Sequence, residues 1–340
     1  MSGVPGPGAI TPETRRRDVR AATPKTTGTP TVQIDSASVF YGEVVGLSHA
    51  TFGLHPGITG VVGPNGSGKT TLMRALTGLI LPQEGTVEVL GKSPFRSAEV
   101  RAQMTFVPSL ESFHEALSGR KNLEVAFLAQ GRVRAEAKDL AVKALDLVRL
   151  TKDGDRRYGR WSRGMRQRLK LGLALAGESK VVLLDEPFLG VDPPSRQVLK
   201  EHILALARAG RTVLVSSHVL HEVESLTRLV GVLAHGRLLG FGLVDSLLRD
   251  LRDKHPHRVS LSADDPRRIG TALLGRPHVR EVQVAGQHAV IFVTDDPEAA
   301  YRELATIVME TGVPIRRVET LDNTLEAVFT HVTAAGTRRL

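Results

Sequence analysis

The sequence predicts an α/β fold, a buried and mainly parallel sheet flanked by helices, followed by a smaller α+β unit. Three observations carry this. The apolar run Ile58-Thr59-Gly60-Val61-Val62 leads into a glycine-rich turn and then a helical pattern. A second run, Val181-Val182-Leu183-Leu184, is wholly apolar and ends on two acids, as a strand buried on both faces requires. Beyond residue 248 the pattern changes to short strands and two helices in the order βαββαβ.

The turn after the first strand reads Gly63-Pro64-Asn65-Gly66-Ser67-Gly68-Lys69-Thr70-Thr71, and the helical pattern continues through Leu72, Met73, Leu76 and Leu79. This is a phosphate-binding loop in its required context of strand, turn and helix. Gly63, Gly66 and Gly68 allow successive backbone N–H groups and the positive end of the helix to converge on phosphate oxygens. Lys69 is expected to hold the β- and γ-phosphates, and Thr70 to offer Mg²⁺ a hard oxygen ligand. Thr71 is expected to pack against or cap the start of the helix.

Residues 115–150 repeat apolar positions at three- and four-residue spacings, through Leu123, Phe127, Leu140, Ala144, Leu147 and Val148, and read as helical. Ser162 opens another helix that carries Leu169, Leu171, Leu173 and Leu175, so its simplest role is an N-cap. The second apolar strand ends at Asp185, 116 positions after Lys69. Asp185 is expected to hold Mg²⁺ through water, and Glu186 to act as the general base that orients the attacking water. A third buried strand, Thr212-Val213-Leu214-Val215, leads to Ser216-Ser217-His218.

In the C-terminal part, strands at 258–261, 279–284, 289–293 and 315–318 and helices at 267–274 and 297–309 make the ferredoxin-like split motif. Tyr301, Leu304, Ile307 and Val308 supply the face that packs on the sheet. No metal-ligand spacing or nucleophile constellation occurs there. The unit therefore reads as regulatory, as a dimer contact or as a stabilising cap.

The ordered motifs resemble the nucleotide-binding subunit of an ATP-binding cassette (ABC) transporter, over roughly residues 31–248. The segment Ser162-Arg163-Gly164-Met165-Arg166-Gln167-Arg168 is similar to the family signature in the form found among drug-resistance and polysaccharide-export ATPases. Leu189-Gly190-Val191-Asp192 resembles the D-loop, His218 the switch histidine that contacts γ-phosphate, and Tyr41-Gly42 the A-loop whose aromatic ring stacks on adenine. The resemblance implies a RecA-like core with a helical subdomain near residues 112–178. It implies ATP and Mg²⁺ as ligands, with Ser162 and Gly164 presented to the γ-phosphate of an opposing subunit in a head-to-tail homodimer. It also implies an integral-membrane permease as partner, export as the direction, and a cytoplasmic location on the inner face of the cell membrane. Phe113, Leu117 and Phe127 are candidates for a groove receiving the permease, with core packing as the rival role. Leu325-Glu326-Ala327-Val328-Phe329 resembles a closing segment of export-type cassettes.

One position departs from the pattern. Ser109 follows the strand Met104-Thr105-Phe106-Val107-Pro108 where the family places the Q-loop glutamine. Its hydroxyl can reach Mg²⁺ or a bound water but lacks the amide fork. Glu111, two residues on, is the alternative for that role.

Composition narrows the classes. The chain has 340 residues, 41% of them hydrophobic, enough for one large core and a smaller one, expected at 31–248 and 251–334. Residues 1–30, rich in Pro, Gly, Thr and Arg, read as a solvated tail with no apolar segment of a secretory signal. Cysteine is absent, which excludes thiolate metal sites and suits a reducing compartment. No apolar run approaches the ~20 residues of a spanning helix, so a transport path is expected in another polypeptide. The net charge of +9 comes without an aromatic stripe, aromatics being 4%, so a single-strand stacking platform is not indicated and no nucleic-acid partner is expected.

Two other readings stay open on the residues alone. One is a nucleotide-gated regulatory cassette whose turnover is weak because of Ser109. The other is an ATP-driven nucleic-acid or ribosome-associated factor, against which stand the single cassette and a motif spacing too short for a long coiled coil.

Overall fold

The computed structural model describes residues 28–110, 113–247 and 257–321. The expectations for residues 1–27, for Glu111 and for Leu325-Glu326-Ala327-Val328-Phe329 lie outside the described residues.

The first part of the chain forms β1 (Val32–Tyr41), β2 (Val44–Leu54), β3 (Gly57–Val62), β4 (Glu84–Val89), β5 (Met104–Val107), β6 (Val181–Asp185), β7 (Thr212–Ser217), β8 (Leu229–Ala234) and β9 (Arg237–Leu243). They make one sheet in the order β4-β1-β2-β9-β8-β3-β7-β6-β5. Its functional half, β8-β3-β7-β6-β5, is parallel. The strands β4-β1-β2 pair antiparallel, as do β8 and β9.

The period of two along a strand divides the apolar side chains between two cores. Val181, Leu183 and Leu214 join Leu72, Met73 and Leu76 of α1 (Lys69–Leu76) on one face. Val182, Leu184, Val213 and Val215 join Leu199, Ile203 and Leu206 of α6 (Pro193–Arg208) on the other. This explains why the central strands are continuously apolar. The short α2 (Ala98–Ala102) precedes β5, and α7 (Leu220–Glu224) follows β7.

The helical region comprises α3 (Gly119–Ala129), α4 (Arg134–Leu147) and α5 (Arg163–Ala176). It has its own core of Leu123, Phe127, Ala144, Leu145, Val148, Tyr158 and Leu169. Phe127 is fully buried there, so it serves packing, while Phe113 meets Tyr158 edge-on at 5.6 Å.

Two details differ from the periodic reading. α1 ends at Leu76, because the chain turns at Gly78 with φ +73°, and Leu79 is left 66% exposed. Leu147 closes α4 and is likewise 40% exposed.

The C-terminal elements are β10 (His257–Ala263), α8 (Pro266–Leu274), β11 (Val279–Ala285), β12 (Ala289–Thr294), α9 (Pro297–Thr311) and β13 (Ile315–Thr320). Their antiparallel sheet has the order β11-β12-β10-β13, the ferredoxin-like arrangement. Both helices begin with an Asp-Pro pair. Asp265 accepts from the Arg268 N–H and Asp296 from the Ala299 N–H, while each proline sits where no N–H is needed. Ile307 enters this core with Leu304 against it, and Tyr301 lies at the rim, its hydroxyl 2.5 Å from that of Thr320.

Candidate nucleotide site

Parallel pairing brings the ends of four strands to one edge. Val62 lies opposite Ser217, Asp185 opposite Ser216 and Val107 opposite Leu184. The loops leaving β3, β5, β6 and β7 therefore meet outside the carboxyl ends of the strands, where open α/β sheets bind ligands.

The glycine-rich loop is held from below by the turn between β8 and β9, whose Gly236 N–H donates to the Ser67 carbonyl at 2.9 Å. Gly68 starts α1 with φ +106°, and a β-carbon there would stand 2.5 Å from the Gly46 carbonyl. Only glycine meets both demands. Lys69 is buried, with Nζ donating to the carbonyls of Gly63 at 2.7 Å and Pro64 at 3.1 Å. The same ammonium lies 3.4 Å from Oε1 of Glu186, an ion pair outside hydrogen-bond geometry, so that this oxygen is buried with no donor.

Asp185 gathers three hydroxyls. Thr70 Oγ1 and Ser109 Oγ donate to its Oδ2 at 3.0 and 3.3 Å, and Ser216 Oγ donates to Oδ1 at 2.5 Å. The loop carrying Ser109 is gripped by the buried Lys170 of α5, whose ammonium donates to the Leu110 carbonyl at 3.0 Å. Ser216 also accepts from the Glu186 N–H at 3.1 Å. Glu186 has φ +49°, a left-handed conformation costly for a side chain with a β-carbon, and it is fixed there by Ser216. Beside it, Nδ1 of His218 lies 2.8 Å from Glu186 Oε2.

Lys69, Thr70, Ser109, Glu186 and His218 line a cavity of about 430 Å³ together with Asn65, Gly66, Ser67, Gly68, Thr71 and Leu189, and Asp185 holds Thr70 and Ser109 from behind that lining. Its outer wall is Tyr41, Val44, Val45 and Gly46. Tyr41 is 43% exposed, and its ring lies over Gly46, where a β-carbon would meet Cε2 at 2.7 Å. Thr71 does not cap α1, whose N-cap is Gly68 with no side-chain bond; its hydroxyl is 3.5 Å from the Tyr41 hydroxyl.

Of the expected site residues, Gly63, Pro64 and Asp185 meet the cavity only through their bonds to Lys69 and Thr70, and Ser162, Gly164 and Asp192 are not among its lining. Ser162 caps α5 by accepting from the Met165 N–H at 3.2 Å. Asp192 caps α6 by accepting from the Ser195 N–H at 3.1 Å, and that bond holds its carboxyl below the usual carboxylate range. Gly164 packs on the start of α6, where a β-carbon would meet the Ser195 hydroxyl at 2.9 Å. The expected site residues therefore form two groups, a cavity and a pair of adjoining helix N-termini. Ser216 stands in the Ser216-Ser217-His218 motif without a role read from sequence, and Val44 and Val45 carry no sequence signal. A serine pair closing an apolar strand was the available signal for Ser216.

Strand, glycine-rich loop, buried lysine and strand-end acid define a P-loop nucleotide-binding protein. Residues 47–189 match the family described as ABC transporter. A Nod factor export ATP-binding protein I of Sinorhizobium fredii is 30% identical over 275 residues, 80% of this chain and 79% of its own length. The daunorubicin resistance ATP-binding protein DrrA3 of Streptomyces coeruleorubidus is 30% identical over 313 residues, 90% of this chain and 97% of its own. A solved ATP-binding subunit of an ABC transporter superposes with a TM-score of 0.59 at 26% identity, covering 65% of this chain and 92% of that one. A dimeric cassette bound to ADP and Pi shares the fold, with a TM-score of 0.57 at 20% identity, covering 62% and 98%. The chain belongs to the ABC transporter family, as an ATP-binding cassette protein with export-type relatives.

Proposed function

We propose that this chain is the ATP-hydrolysing subunit of an exporter, with its cassette over residues 31–248 and its accessory unit over 251–334. Two copies enclose two MgATP and drive a separate integral-membrane permease from the inner face of the cell membrane. One observation carries the reading: Lys69, Thr70, Ser109, Glu186 and His218 converge on one cavity, with Asp185 bonded to Thr70 and Ser109 behind it.

The residues suit the chemistry. A hydroxyl pair on a single carboxylate is a hard oxygen set of the kind Mg²⁺ uses beside substrate phosphates. Among the described residues no cluster of three His, Cys, Asp or Glu offers an all-protein metal cage. Thr70, Asp185 and Ser109 would hold Mg²⁺, which when bound neutralises charge on the transferred phosphoryl oxygens. Lys69 exchanges its loop carbonyls for β- and γ-phosphate oxygens. The donor-free oxygen of Glu186 accepts a hydrogen bond from the attacking water, and His218 fixes the orientation of that carboxylate. Tyr41 and the two valines offer the adenine a flat apolar wall.

Ser162, Gly164 and Asp192 complete the site across the dimer, where the N-terminus of α5 faces the γ-phosphate held by the other copy. Among the described residues no helix is long and apolar enough to cross a membrane. The names of the relatives support export. The test is MgATP turnover by the purified chain together with its mass in solution with and without ATP. Turnover and an ATP-dependent dimer are expected; a nucleotide-independent monomer with no turnover contradicts the reading.

A further inference from the structure

Glu222, on α7, is a carboxylate only 8% exposed, and both its oxygens are engaged. Oε2 accepts from the Ser217 hydroxyl at 2.7 Å, and Oε1 accepts from Nη1 of Arg196 at 2.9 Å. Arg196 lies on α6, and its Nε donates to the Val191 carbonyl at 2.7 Å. The planar guanidinium thus holds a carboxylate and a backbone carbonyl at a fixed mutual angle, which a lysine cannot do.

The bonds close into a ring that includes the reacting groups. The Ser217 hydroxyl also accepts from the Val219 N–H at 3.1 Å, so it ties down both neighbours of His218. His218 meets Glu186 at 2.8 Å, and the Glu186 carbonyl accepts from the Leu189 N–H at 3.1 Å. Leu189 opens the short segment whose Val191 carbonyl returns to Arg196. A pair serving only to join α6 and α7 needs neither the serine hydroxyl nor the segment carbonyl.

We infer that Arg196 and Glu222 are positioning residues that set His218 against Glu186 and couple that contact to the segment from Leu189 to Asp192. The inference rests on the reading of the cavity as a hydrolytic site. In the proposed dimer that segment adjoins the helix start offered to the other subunit's nucleotide. The ring therefore lets the state of the dimer interface reach the base and histidine of the same chain.

The experiment compares Glu222→Gln, Ser217→Ala and Arg196→Lys in the full chain, each alone and combined with His218→Ala. It reads MgATP turnover, KM, melting temperature and backbone hydrogen exchange across residues 188–192. Each single variant should lose about tenfold in kcat with KM changed less than about twofold, the pattern of a lost transition-state contact. In the His218→Ala background the same substitutions should cost nothing further, because residues acting through one another are not additive. Exchange across 188–192 should be faster in Glu222→Gln and Arg196→Lys.

Losses that multiply in both backgrounds, or unchanged kcat and exchange in folded variants, would overturn the inference while leaving the site reading intact. A His218→Ala variant that turns over at the parent rate would overturn the site reading and the inference with it. Ser217→Ala deletes a single hydroxyl and keeps the test decisive if the buried charge variants do not fold.

Discussion

Nδ1 of His218 lies 2.8 Å from Oε2 of Glu186, and this contact joins the end of β7 to the end of β6 across the mouth of the cavity. It leaves Oε1 of the same carboxylate buried without a donor, 3.4 Å from the Lys69 ammonium. One oxygen is thus committed to orientation and the other is available for a water.

Lys69→Ala removes the buried ammonium that loop carbonyls and Glu186 surround. ATP affinity should fall about ten- to a hundredfold, the range for losing charge-assisted hydrogen bonds. Calorimetric titration with a nonhydrolysable ATP analogue measures this, and unchanged affinity would contradict the role given to the loop.

Ser109 stands 3.3 Å from Asp185 Oδ2, so its hydroxyl reaches the carboxylate proposed to hold Mg²⁺. Ser109→Ala should raise the Mg²⁺ concentration needed for half-maximal turnover, and Ser109→Gln should change turnover by less than about tenfold. A gain of about a hundredfold or more in Ser109→Gln would instead support the regulatory reading, in which the serine limits hydrolysis.

Acid should weaken the fold through His202 on α6. Burial lowers its imidazole from the ordinary 6.5, partly opposed by Glu201, with Arg149 and Arg168 adding to the lowering, and its Nε2 has no hydrogen-bond partner. The folded chain then binds fewer protons at this site than the unfolded one. Its contribution to stability is complete above about pH 7 and is lost as pH falls below the unfolded value. Melting temperatures between about pH 7.5 and 5.5 should fall less steeply for His202→Leu than for the parent. Parallel curves would remove His202 from the account.

How much of this was legible in the sequence follows from the range of each interaction. The glycine-rich loop and the acid-ended strand are local devices, and residues within a few positions specify them. Leu79 misled because periodicity continues past a glycine that turns the chain left-handed. The Ser216-Ser217 pair marks the end of a strand, but the bond from Ser216 to Asp185 follows only from the β6–β7 register. The bond from Arg196 to Glu222 spans two helices and is equally a product of packing. The left-handed backbone of Glu186 had no sequence signal, because it is imposed by the serine on the adjacent strand.

The most direct measurement is MgATP turnover and oligomeric state of the parent beside Glu186→Gln. The account predicts a turning-over parent and a variant slowed by roughly 10²–10⁴, the range for losing a general base, that still binds ATP and accumulates as a dimer. Equal turnover in the two proteins would contradict it.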